Sequence, residues 1–71
     1  MDASEHGVEP DEVILRWPVV RGIVGMSRST VWRMIRRGEF PVAIPLSPGA
    51  VGWARSEIDA WVKARKAARR P

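Results

Sequence analysis

A chain of 71 residues with no cysteine and a single histidine, His6, can form one small domain and excludes a disulfide framework or a thiolate metal site. The net charge of +4 hides an asymmetry: residues 1–12 carry Asp2, Glu5, Glu9, Asp11 and Glu12 and no base. All 12 basic residues fall in 13–71 against Glu39, Glu57 and Asp59 only, and this surplus of nine points to a polyanionic partner.

Residues 1–12 read as a flexible acidic leader. They are the opposite of a basic secretory leader, and no apolar run reaches membrane-spanning length, so the expected location is the cytosol. Val13–Trp17 is short, branched and apolar, and fits either an edge strand or an extended plug on the core. Pro18 suits the first turn of a helix, and Val19, Val20, Ile23 and Val24 predict one apolar face over two turns. Gly22 weakens that helix and Gly25 ends it.

The next segment is the most informative. Ser27 is placed to cap a helix and Gly38 to close it. At roughly 100° per residue, Val31, Met34 and Ile35 share one stripe. Ser29, Arg33 and Arg36 fall on the opposite side, with Arg37 at its edge. No acidic residue lies within the helix to pair with these arginines. Guanidinium forks match guanine edges and phosphates, and hydroxyls with helix N-terminal amides hold phosphate. The order helix, glycine turn, capped basic helix is that of a helix-turn-helix whose second helix reads DNA. A solvated charged face is the plainer alternative, but such a face usually mixes signs.

Beyond it, Phe40-Pro41 turns the chain. Val42–Leu46 and Val51–Ala54 flank Ser47-Pro48-Gly49-Ala50, a type II turn pattern, and predict a β-hairpin. That hairpin serves either as a wing touching DNA through backbone amides and Ser47, or only as a lid on the core through Ile44 and Trp53. Ser56-Glu57-Ile58-Asp59 resembles a capping box, and Ile58, Trp61, Val62 and the stem of Arg65 form a docking face. Residues 66–71 complete a basic tail or helix extension suited to phosphates.

Taken together, Leu15-Arg16-Trp17-Pro18, Gly25-Met26-Ser27-Arg28-Ser29-Thr30, Gly38-Glu39-Phe40-Pro41, Val51-Gly52-Trp53 and Glu57-Ile58-Asp59-Ala60-Trp61 resemble the AlpA-type prophage regulators and related phage excisionases. The resemblance spans about residues 13–65. It implies a mainly α fold with a small β-hairpin wing, a winged helix-turn-helix similar to the MerR DNA-binding domain. The reader helix would be 28–37 and the wing about 42–54. Members act at promoters or as recombination directionality factors that bend attachment-site DNA and steer an integrase toward excision. The motif places Arg28, Ser29, Thr30, Arg33 and Arg36 on DNA; Trp32, Arg37 and Ser47 complete the expected contacts. This sequence departs from the pattern at Val19, Gly22 and Trp32.

The expected partners are double-stranded DNA, an integrase and neighbouring copies on the same site, with no cofactor and no metal. Catalysis is not expected, because no nucleophile–histidine pair or phosphate-binding glycine loop is present. A DNA-recognition domain of a phage packaging subunit would be expected to carry an added oligomerisation region. A protein-interaction module anchored on Trp32 or Trp17 would leave the arginine face without a use.

Overall fold

The computed structural model describes residues 12–69. Most of the acidic leader, residues 1–11, and the last two residues of the basic tail lie outside them. The elements run β1 (Ile14–Leu15), α1 (Trp17–Val24), α2 (Arg28–Arg36), β2 (Ile44–Ser47), β3 (Ala50–Ala54) and α3 (Arg55–Ala67). The expected winged helix-turn-helix is present, with one addition. Val13–Trp17, left open between strand and plug, supplies β1, so the hairpin becomes a three-stranded antiparallel sheet in the order β1-β3-β2.

Helix α1 begins without a side-chain cap, because Pro18 in its first turn removes a donor that would need one. Gly25, at φ 68°, takes the left-handed conformation that closes it and returns its N–H to the Arg21 carbonyl at 2.8 Å. Only part of the predicted α1 face meets the core. Val20 is fully buried and Val24 half-buried, whereas Val19 and Ile23 are exposed. Positions i, i+1, i+4 and i+5 spread over roughly 140° of a helix, and the core takes one edge of that arc.

Helix α2 is closed at both ends by its own neighbourhood. Ser27 Oγ accepts from the Thr30 N–H at 3.2 Å. At the other end Gly38, at φ 72°, donates to the Ile35 carbonyl at 3.0 Å, and Glu39 N–H donates to the Met34 carbonyl at 2.8 Å. These two bonds make a Schellman motif. The predicted stripe is the one that packs: Val31 and Met34 are buried, and Ile35 lies half-buried against them.

The hairpin turns at Pro48-Gly49 with Gly49 at φ 81°, as a type II turn requires. Gly52 is buried in the central strand because nothing larger fits. A Cβ there would come within 2.5 Å of Ile14 Cγ2 and 3.0 Å of the Leu15 carbonyl oxygen. The core gathers Val20, Val31, Met34, Phe40, Trp53 and Ile58 from every helix, the central strand and the loop after α2. Trp53 packs between Trp17 and Trp32, at 6.0 and 6.1 Å between ring centres, and Trp61 meets Phe40 edge-on at 5.0 Å. Two indole donors bond to backbone: Trp53 Nε1 donates to the Pro41 carbonyl at 3.0 Å and Trp61 Nε1 to the Glu39 carbonyl at 2.9 Å.

Helix α3 starts two residues earlier than the sequence pattern predicts, at Arg55, and the capping box does not form. Its N-cap is Ala54, which has no side chain to offer. Instead the Arg55 N–H donates to the Val13 carbonyl at 2.8 Å, and the Ser56 N–H donates to Glu12 Oε2 at 3.2 Å. The Ser56 hydroxyl donates to Glu12 Oε1 as well. The end of the acidic leader therefore does the work expected of Ser56 itself. At its far end α3 runs on to Ala67, so part of the basic tail is helical.

Candidate nucleic-acid interface

Burying Val31 and Met34 fixes the rotation of α2, and that rotation decides which side chains face outward. Arg28, Ser29, Arg33, Arg36 and Arg37 are all exposed. Arg28 opens the helix, Arg36 ends it, and Arg37 is its C-terminal cap. Thr30 is half-buried on the flank.

The N-terminal part of this front is a connected polar cluster. Ser27 Oγ donates to Thr30 Oγ1 at 2.9 Å and lies 3.3 Å from Ser29 Oγ. Arg33 Nη2 donates to Thr30 Oγ1 at 3.3 Å. One of the five guanidinium donors is thus spent on orienting Arg33, and the remainder of the fork stays open. Arg28, Arg36 and Arg37 stand outside this cluster. Among the described residues the one ion pair is Arg55–Asp59, at 3.8 Å and exposed on α3. The cations of α2 therefore have no carboxylate partner among the described residues.

The other expected contacts fall differently. Trp32 is half-buried, with its ring tilted 52° to Trp53, so much of its surface supports the core. Ser47 is exposed at the end of β2, next to the hairpin turn, and shares no hydrogen bond with the α2 cluster.

One residue that ties the elements behind the site together was given no role in the sequence reading. Arg16, the N-cap of α1, reaches the hairpin: its Nε donates to the Val51 carbonyl at 3.0 Å. Strand β1 ends at Leu15, paired with Trp53, and the chain then turns into the helix. The Arg16 side chain continues the connection to β3 and ties the hairpin to the helix-turn-helix. The position of a cation immediately after a short apolar run was the only available signal.

On α3, Lys63, Arg65 and Lys66 are exposed, as is Arg69 just beyond it, with Arg65 lying over the Trp61 ring at 5.1 Å. Among the described residues, no group of His, Cys, Asp or Glu is placed to hold a metal, and no helix is long and apolar enough to cross a membrane.

The comparisons with known proteins agree with this architecture. A family model described as the prophage CP4-57 regulatory protein (AlpA) matches residues 13–66. The chain is also similar to an uncharacterised protein, ORF88, of Enterobacteria phage P4. The two are 44% identical over 59 residues, which is 83% of this chain and 67% of that protein. The family match takes in the whole sheet, α1, α2 and nearly all of α3, and the chain belongs to the AlpA family of prophage regulatory proteins.

Proposed function

We propose that this chain binds double-stranded DNA at specific sequences through the exposed front of α2. The observation that carries the reading is a row of outward cations with no carboxylate partner among the described residues, on a helix whose opposite side is locked into the core. Arg33 and Arg36 are the base-edge readers, with Arg28 and Arg37 at the ends of the same front. Ser29, Thr30 and the first amides of α2 hold a phosphate. Trp32 contributes its exposed edge. The hairpin tip lies along the backbone with Ser47 and its amides, and the cations of α3 add attraction that does not depend on sequence.

A single module of this kind buries on the order of 600–1,000 Å² on DNA. Useful occupancy then calls for several copies or a protein partner, which favours an excisionase: a factor that binds and bends attachment-site DNA and directs an integrase toward excision in the host cytoplasm. The second reading, a transcriptional regulator at a promoter, is favoured by the description of the family as regulatory proteins. Both use the same surface, and neither calls for catalysis, a cofactor or a metal.

The test is a binding titration with footprinting on the DNA flanking the chain's own gene. Arg33→Ala should weaken the specific complex by roughly 1–3 kcal/mol and relax base choice at one position. An Arg33→Ala protein that binds its site as tightly as the parent would sink the reader assignment. Bending with protection beside an attachment site selects the excisionase; protection over a promoter without bending selects the regulator.

A further inference from the structure

Among the described residues, nothing covers the outward side of α1. Trp17–Val24 carries a single charged residue, Arg21, and the side turned from the core is formed by Pro18, Val19, Gly22 and Ile23, all exposed. Val19 is 51% and Ile23 45% exposed. A helix that is apolar all round is ordinarily enclosed on all sides. A solvated helix would also favour an acidic residue in its first turn, and α1 has none.

Gly22 is the second observation. It weakens the helix, yet a Cβ built there meets nothing within 4 Å, and its φ is an ordinary one. Nothing among the described residues asks for glycine at this position. A bare Cα on an exposed apolar face permits close approach of another backbone.

A complementary surface lies elsewhere on the same chain. Segment 38–45 and α3 enclose an open groove of about 800 Å³, lined by Phe40, Pro41, Val42, Ile44, Ala60 and Trp61. Val42, at 69% exposed, is the most exposed large apolar residue described. Glu39 and Glu57 also line this groove, and they are two of the three acids in residues 13–71. The groove is thus apolar and anionic within a largely cationic stretch, 13–71, whereas the α1 face is apolar with Arg16 at the helix N-cap and Arg21 in its last turn. The acidic residues 1–11 have the wrong sign to fill it.

We propose that the outward face of α1 docks into the 38–45/α3 groove of a second copy, with Arg16 and Arg21 toward Glu39 and Glu57. The two surfaces differ, so each added copy leaves one of each open, and the association propagates unless rotation closes it into a ring. The contact uses none of the α2 residues assigned to DNA, so the proposal goes beyond the DNA-binding reading and is tested without DNA.

The experiment is sedimentation of the full chain from micromolar to millimolar concentration, with two exposed-site variants. Val19→Asp spoils the α1 face while adding a favourable first-turn acid, and Ala60→Arg spoils the groove. Each alone should be monomeric and folded by circular dichroism, and an equal mixture should give a one-to-one dimer and nothing larger. Gly22→Ala should melt at a higher temperature yet associate about tenfold more weakly, a combination that loss of folding cannot produce. Three results would overturn the proposal: a parent chain that stays monomeric throughout, an Ala60→Arg variant that associates like the parent, or a mixture that does not dimerise. Val19→Asp should bind a single-site duplex as the parent does, so a failure of self-association is told apart from a failure of the DNA reading.

Discussion

The starts of α2 and α3 solve the same problem in opposite ways. Both must satisfy amides that have no partner within the helix. Helix α2 uses Ser27, three residues from the amide it caps. Helix α3 has alanine at its N-cap and borrows the Glu12 carboxylate and the Val13 carbonyl from the beginning of the chain, more than forty residues away. The candidate reader is thus specified locally, and among the described residues the hydrogen bonds of its front stay within residues 27–33. The sheet and α3 are specified at a distance and hold the reader in place from behind.

Three substitutions sharpen that contrast. Gly52→Ala should cost the most, about 1–3 kcal/mol in urea unfolding, because the new methyl group would have to push Ile14 and the Leu15 carbonyl out of β1. An alanine variant as stable as the parent would mean that β1 is not needed where it lies. Ser27→Ala should cost about 1 kcal/mol, typical of a lost helix cap, and amide exchange should quicken in the first turn of α2 while α3 keeps its protection. Equal loss of protection in both helices would erase the distinction between them.

Glu12→Gln should have the smallest effect, and one that depends on pH. Hydrogen bonds from the Ser56 hydroxyl and amide hold the Glu12 carboxyl below its ordinary range. The folded chain therefore favours the ionised form. The stability this contributes is fully present above the ordinary carboxylate pKa and disappears as pH falls through the lowered value. Thermal melts of parent and variant should differ near neutral pH and converge in acid. A constant gap across that range would assign the effect to packing instead of charge.

The same contrast explains what the sequence made legible. Ser27, Gly25 and Gly38 act through neighbours within four residues, so the helix-turn-helix order and the inward stripe of α2 could be read directly. The Pro48-Gly49 turn is equally local. Gly52 stood out as part of a motif, but its cause, the closeness of Ile14, belongs to a strand nearly forty residues earlier. Ser56 looked like a cap because local rules cannot see Glu12. On the candidate interface, counting angles along α2 was enough to turn Arg33 and Arg36 outward, whereas the reach of Arg16 to Val51 depends on the sheet being assembled. The exposure of Val19 and Ile23 escaped notice for a related reason: a two-turn helix has too few residues for its pattern to fix which edge is buried.

The central strand of the sheet, β3, is also the last to be synthesised. A nascent chain that has not yet reached residue 50 has two strands with nothing between them, the Arg16 tether lacks its Val51 acceptor, and the Glu12 clasp lacks its Ser56 donors. Helices α1 and α2 are therefore not expected to hold together as a shorter unit: before β3 is complete, the front of α2 has no frame behind it.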